Sequence, residues 1–232
     1  MNKIGLIGGI GPESTIEYYK GIEYGVQKKL ECSFFPNLTI ESLSAFDVLE
    51  FCEKKDYAGL TAYLLNGINN LAAAGAQYGA LTGITAHIVF DELSKGSSIP
   101  LISMVDSARD YAVAQGYEKI CLLGTLPTMD GTFFQSSFEK SGITVITPDE
   151  EEKFYIGTKI KTELELGKVL PDTQRAFKEI AERIIREEQV QAIVLGCTEL
   201  PLIFGGVKLP VPHIDVMQIH IKALVDLITT CK

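Results

Sequence analysis

Three absences bound this chain before any motif is considered. It lacks a basic field: 21 Lys and Arg stand against 30 Asp and Glu in 232 residues, for a formal charge of −9. A phosphate backbone or an anionic lipid surface finds nothing to hold, so neither nucleic acid nor membrane is expected as a partner, and any anionic ligand must be gripped locally. It lacks a long apolar run: the opening Ile4-Gly5-Leu6-Ile7 stops at glycines, well short of the ~18 apolar residues of a membrane span. It also lacks paired cysteines. The five, Cys32, Cys52, Cys121, Cys197 and Cys231, are odd in number and scattered, with no CxxC pair and no histidines at zinc spacing. That pattern leaves no metal site and fits free thiols in a reducing, cytoplasmic setting. With 46% hydrophobic residues, the composition supplies a proper core.

Short β-branched runs alternate with longer helical patterns. Strands are expected over 3–7, 38–41, 78–81, 101–103, 119–123, 144–147 and 191–195, and helices over 13–30, 57–74, 107–115, 129–140, 150–166, 173–188 and 216–230. Such alternation implies parallel pairing through βαβ units. Glycines at 75, 116 and 142 stand just past helical patterns, where a left-handed terminating residue is needed.

Self-comparison adds more. Lys3-Ile-Gly-Leu-Ile-Gly8 echoes Lys119-Ile-Cys-Leu-Leu-Gly124, Gly83-Ile84-Thr85 echoes Gly196-Cys197-Thr198, and Pro100-Leu-Ile-Ser-Met-Val-Asp106 echoes Pro210-Val-Pro-His-Ile-Asp215. Three echoes in one order argue for a duplication. The expected fold is α/β, two pseudo-symmetric parallel-sheet α/β units with the active site in the cleft between them, since ligands of open α/β sheets sit beyond the carboxyl ends of the strands. The first unit is expected to hold residues 1–99 plus 210–232, and the second 100–209.

The loops at those strand ends carry the candidate chemistry. Gly8-Gly9-Ile10-Gly11-Pro12 follows the first strand and opens a helix, where bare N–H groups around Gly9 and Ile10 suit a carboxylate. Without GxGxxG or a Walker lysine it is a poor nucleotide loop, and a tight turn with no ligand remains the plain alternative. Cys197 follows the apolar strand Ala192-Ile193-Val194-Leu195 near a helix start, where Thr198 can cap and the dipole favours thiolate; burial would make it an inert core thiol instead. Thr85, in the matching first-half loop, is a carboxylate donor or a simple cap. His87 donates to a ligand or to the backbone. Gly124-Thr125-Leu126-Pro127-Thr128 reads as a second anion clamp.

These segments, together with Thr85-Ala86-His87, Leu123-Gly124-Thr125 and above all Leu195-Gly196-Cys197-Thr198-Glu199-Leu200-Pro201, resemble the aspartate/glutamate racemase superfamily, and the likeness runs from the first strand to the last helix. The resemblance implies a homodimer that uses no pyridoxal phosphate or metal, takes a small-molecule amino acid or dicarboxylate, and moves the α-proton with two opposed cysteines. Cys197 matches the second cysteine. Thr85, Thr125 and Thr198 match carboxylate-binding hydroxyls, and Gly9, Ile10, His87 and Glu199 fall in the substrate-binding segments. Lys168 is the nearest candidate for holding a second carboxylate, with a surface lysine as the alternative.

The first cysteine is missing: its Cys-Asn-Thr triplet is Gly83-Ile84-Thr85 here, preceded by Thr82. Glycine cannot carry a proton, and a threonine hydroxyl is a poor base though a feasible donor or water relay. Three outcomes stay open: a one-sided racemase in which Thr82 or a water at the Gly83 position serves the second face, a single-cysteine decarboxylase-like lyase, or a non-catalytic ligand-binding homologue.

Overall fold

The computed structural model describes residues 1–230; Cys231, expected as a free thiol in the tail, lies outside them. The chain begins with β1 (Ile4–Gly8), α1 (Pro12–Leu30), β2 (Leu38–Ser42), α2 (Ala45–Glu53), α3 (Tyr57–Ala73) and β3 (Tyr78–Leu81). A 3-10 turn over Thr85–Val89, α4 (Phe90–Gly96), β4 (Leu101–Ile102) and α5 (Met104–Ala114) follow. Next come β5 (Lys119–Gly124), α6 (Leu126–Asp130), α7 (Thr132–Glu139), β6 (Thr144–Ile146), α8 (Glu150–Thr162) and a 3-10 turn over Leu164–Leu166. The chain ends with α9 (Pro171–Glu188), β7 (Ile193–Gly196), α10 (Leu200–Phe204), β8 (His213–Asp215) and α11 (Val216–Thr229).

The strands form two four-stranded sheets of orders β2-β1-β3-β4 and β6-β5-β7-β8, with parallel pairing throughout both. One order occurs twice, so the echoes in the sequence correspond to a repeated topology. The chain divides into two compact units, one of Met1–Ser107 with Met217 onward and one of Ala108–Val216. The crossings fall after the short strands β4 and β8, at Ser107 and Val216, and not ahead of them at Pro100 and Pro210. The reason is local: the residues after each proline pair back onto the sheet already begun, Ile102 beside Ala80 and Ile214 beside Val194.

Each sheet is gripped by its own helices. In the first unit α3 lies so close to β1 that a Cβ on Gly5 would stand 2.9 Å from the Cβ atoms of Leu71 and Ala76. Gly21 and Gly25 of α1 likewise admit Ile221 and Val225 of α11. Ile7, Leu60, Leu64, Ile68, Leu81 and Leu93 are buried in the core between these layers. In the second unit Leu123, Ile156, Ile160, Phe177, Ile184, Ile193 and Leu195 form the equivalent core. Burying each such side chain contributes about 1.5–3 kcal/mol.

The helices differ from expectation in several places. Residues 129–140 do not form one helix, because Gly131 is extended (φ −74, ψ 151) and ends α6 before α7 begins; a Cβ there would lie 2.5 Å from the Pro127 carbonyl. The helix expected over 150–166 ends at Thr162 and tightens into the 3-10 turn. Three short helices, α2, α4 and α10, lie outside the ranges where helices are expected; α2 is capped by the Ser44 hydroxyl, which accepts from the Asp47 amide. Among the described residues no helix is long and apolar enough to cross a membrane, and no group of three or more His, Cys, Asp or Glu side chains is set to hold a metal ion.

Candidate functional site

In the second unit all four residues of β7 are buried, and the chain leaves the strand through Gly196. No other residue fits at that exit: a Cβ would lie 2.9 Å from the Leu123 carbonyl and 2.5 Å from Leu122 Cδ1. Cys197 comes next, only 5% exposed and part of the same buried apolar cluster as Leu123, Met129, Leu164, Leu200 and Ile203. Its Sγ donates to Oε2 of Glu199 at 3.0 Å, and the Thr198 hydroxyl donates to the same oxygen at 2.9 Å. Thr198 therefore does not cap α10. Glu199 occupies the cap position, in αR conformation and with no side-chain capping bond.

Of the two alternatives open for Cys197, a thiolate at a helix start or a buried thiol, the electrostatics favour the second. Burial is the largest influence and pushes the Cys197 thiol well above its ordinary value. The Glu199 charge and the bond to its carboxylate act in the same direction, as does the Glu165 charge; a hydrogen bond involving the Glu199 backbone opposes them. A helix of only five residues offers too little dipole to offset burial together with the adjoining Glu199 carboxylate. Cys197 is thus a neutral thiol at rest. Glu165 sits on the 3-10 turn over Leu164–Leu166, and its own carboxyl is raised by burial first and then by Glu199.

Thr125 stands at the adjacent strand end, because Gly124 pairs with Gly196. Its hydroxyl lies 3.0 Å from that of Thr128. Its carbonyl accepts from the amides of Thr128 and Met129, which closes the start of α6. Lys168 is exposed and follows Gly167, left-handed at φ 68. Its charge is felt by Glu163, which bonds Lys159 and Thr173.

The first unit is built differently at the same place. Ile7 pairs with Leu81 and Leu123 with Leu195; since β1 and β5 carry the matching Lys-Ile-x-Leu motif, the ladders equate Leu81 with Leu195 and therefore Gly83 with Cys197. This register shifts the Gly83–Gly196 echo by one residue. A Cβ on Gly83 would lie 2.9 Å from the Ile10 carbonyl and 3.2 Å from the Ile10 side chain, so Ile10 fills the space that a side chain would need. Thr82 is fully buried; its hydroxyl donates to the Ile7 carbonyl at 3.1 Å and lies 3.4 Å from that of Thr15.

Gly9 is left-handed at φ 74, and a Cβ there would strike the Leu43 carbonyl at 2.1 Å. Its N–H, expected to face an anion, is given to the Thr15 hydroxyl at 2.9 Å. Thr85 starts the 3-10 turn, half-buried. His87 is buried with both ring nitrogens engaged by the main chain: Nδ1 lies 3.1 Å from the Gly83 carbonyl, and Nε2 accepts from the Met104 amide at 3.1 Å. Burial lowers its pKa to about 4, leaving it neutral. His220 is buried nearby, with Nδ1 2.7 Å from the Tyr18 hydroxyl and Nε2 3.1 Å from the Ile102 carbonyl. Three features were not read from the sequence: Glu199 as partner of the sulfur, Glu165 as a second charge acting on it, and the Ile10 carbonyl against Gly83. Only the first had a signal, an acid two residues beyond the cysteine.

Comparison with known proteins agrees with this doubled architecture. A solved structure of an aspartate racemase homologue from Pyrococcus horikoshii is 32% identical, with a TM-score of 0.85, over 99% of this chain and all of its own. The aspartate racemase of Picrophilus torridus shares the fold at 22% identity, with a TM-score of 0.74 over 98% of this chain and 94% of its own. The broad specificity amino-acid racemase RacX of Bacillus subtilis is 22% identical over 219 residues, which is 91% of this chain and 92% of that protein. The class so defined is that of the amino-acid racemases, isomerases built on a doubled α/β fold. A family model described as Asp/Glu/Hydantoin racemase matches residues 7–224, and the chain belongs to that family.

Proposed function

We propose that the protein is a cofactor-independent amino-acid racemase in which a single thiol, Cys197, does the side-chain proton transfer. The observation that carries this reading is the 3.0 Å contact between Cys197 Sγ and the Glu199 carboxylate at a strand end whose counterpart, Gly83, bears no side chain. At rest the proton is on sulfur and Glu199 is the neighbouring acceptor. Transfer from Sγ to Glu199 Oε2 produces the thiolate, which takes the α-proton of the bound acid and leaves an enediolate-like anion. A water at the opposite face returns a proton to carbon. The hydroxide so formed is neutralised by the proton on Glu199, which restores thiol and carboxylate. The Thr85, Thr125 and Thr198 hydroxyls are assigned to the substrate carboxylate, where the developing charge needs donors.

Thr82 is left out of the proton path, since its hydroxyl already donates to the Ile7 carbonyl. The test is exchange of the substrate α-hydrogen with deuterated water, without added cofactor, across an amino-acid panel. Exchange that disappears in Cys197→Ala supports the reading, and exchange that survives overturns it. A thiol neutral at rest also favours a second reading, a lyase in which Cys197 only donates once to an enediolate left by decarboxylation. Carbon dioxide release from a geminal dicarboxylic acid, with no α-hydrogen exchange, would select it.

A further inference from the structure

His87 lies on the same 3-10 turn as Thr85, and its ring joins that turn to the start of α5. The Met104 amide is an obligate donor, so Nε2 accepts from it at 3.1 Å. Nδ1 therefore carries the ring hydrogen and donates it to the Gly83 carbonyl at 3.1 Å. Phe90, the first residue of α4, stacks on the buried ring, with 5.0 Å between centroids and 5° between planes. The turn has no side-chain cap of its own. Gly83, already packed against the Ile10 carbonyl, and Met104 are thus held in register by one neutral imidazole, and Thr85 lies on the short stretch of chain between Gly83 and His87.

Resting on the assignment of Thr85 to the substrate carboxylate, we infer that His87 is a positioning residue of the reaction: by clamping the Gly83 carbonyl to the Met104 amide it sets where the Thr85 hydroxyl stands. Its own nitrogens are spent on the main chain, so its effect passes through Thr85. Loss of the ring releases the chain on both sides of that hydroxyl at once. A displacement of about 1 Å is enough to cost up to ~100-fold in rate, and the loss reaches the transition state because charge grows on the carboxylate oxygens that the hydroxyl meets. The side chains whose charges act on the Cys197 thiol are Glu199 and Glu165, so the ionisation of the sulfur stays as it is when the ring is removed.

The experiment is a double-mutant cycle on the purified full chain. It reads kcat/KM for α-hydrogen exchange in deuterated water, with the amino acid that the unmodified protein exchanges fastest, in His87→Ala, Thr85→Ala and the double variant. His87→Ala should lose about tenfold to 100-fold, and the double variant should stay within about threefold of the worse single one, where independent losses would multiply. Two conservative variants divide the clamp. Glutamine reaches the Nε2 position and keeps the Met104 bond, whereas asparagine reaches the Nδ1 position and keeps the Gly83 bond. Each should recover part of the rate, with the Met104 amide protected from solvent exchange in His87→Gln and exposed to it in His87→Asn; these two carry the same cycle if His87→Ala does not fold. The pH at which Cys197 is alkylated should not move. Losses that multiply, an alanine variant as fast as the unmodified protein, or a shifted alkylation profile overturns the inference and leaves the racemase reading standing. Absence of exchange with every amino acid in the unmodified protein removes that reading, and the inference with it.

Discussion

Two strand ends occupy one place in a duplicated topology and have diverged in opposite ways. The end of β7 carries a thiol, a hydroxyl and one buried carboxylate joined by hydrogen bonds, with the charge of Glu165 also acting on the thiol. The end of β3 carries a glycine pressed against a carbonyl, a buried threonine engaged by the backbone, and a histidine whose two nitrogens serve the main chain. Duplication sets where a side chain emerges from the sheet. It does not preserve what that side chain does, because polar groups at a strand end can satisfy the backbone as readily as they can face a ligand.

The largest break in this contrast is expected from Cys197→Ala. Removing the acid/base group should lower α-hydrogen exchange by about 100-fold to 10,000-fold with little change in melting temperature, because only one sulfur atom is lost from the buried cluster that includes Leu123 and Leu200. Proton NMR in deuterated water reads the first effect and thermal unfolding the second. Glu199→Gln follows, with two effects of opposite sign. The carboxylate charge raises the thiol, so its removal should lower the thiol pKa and bring alkylation of Cys197 to lower pH. Exchange should nonetheless fall, by about 10-fold to 100-fold, because the proton acceptor is gone. Faster alkylation together with faster exchange would overturn the role given to Glu199.

How far these effects could be foreseen differs between the two strand ends. The strands themselves were legible, because Lys3-Ile-Gly-Leu-Ile-Gly8 and Lys119-Ile-Cys-Leu-Leu-Gly124 are apolar runs ending in glycine, and that pattern is local. The loop after β7 was legible as a place for chemistry, since a cysteine next to Thr198 and Glu199 stands out in any strand-to-helix turn. The ionisation of Cys197 was not, because it depends on a rotamer that aims sulfur at Glu199 and on Glu165, thirty-two residues upstream in the chain. The role of His87 was hidden for a similar reason: whether an imidazole faces a ligand or two backbone groups is decided by packing. The helix α2 was missed although Ser44 with Asp47 three residues on is a capping pattern, because the alternating apolar residues around it had no long periodic run to reinforce them.

His87 sharpens the comparison through stability. Its folded pKa, about 4, lies below the ordinary 6.5, so the unfolded chain binds more protons between those values. The stabilisation is therefore complete above pH 6.5 and is lost as the pH falls towards 4, at most about 3 kcal/mol for this one group. His220, lowered to about 3 by burial first and by His87 second, adds to the loss in the same direction. His87→Gln should remove part of this acid sensitivity while costing about 1–2 kcal/mol at neutral pH for imperfect replacement of two buried hydrogen bonds. Chemical denaturation between pH 4 and 7 measures both.

Gly83→Cys is expected to have a smaller effect than restoring a symmetric site would require. A Cβ there lies 2.9 Å from a backbone oxygen, Ile10 O, and that atom cannot be trimmed by a second substitution. The variant should lose about 1–3 kcal/mol of stability as for other overpacked positions, and the new thiol should not raise the rate of inversion. A gain in inversion relative to exchange would show that the two strand ends are closer in capability than their geometry implies.

Thr82→Val is expected to produce the smallest effect and isolates the last polar group at the end of β3. The hydroxyl donates to the Ile7 carbonyl at 3.1 Å in a fully buried position. Valine keeps the shape and leaves that carbonyl with the ladder bond from the Thr82 amide at 3.0 Å, so the cost should be near 1 kcal/mol in thermal unfolding. Exchange should stay within about threefold of the unmodified protein, since no proton in transit passes through the hydroxyl. A loss comparable to that of Cys197→Ala would mean that this hydroxyl leaves the Ile7 carbonyl when substrate binds. The asymmetry between the two strand ends would then belong to the resting state alone.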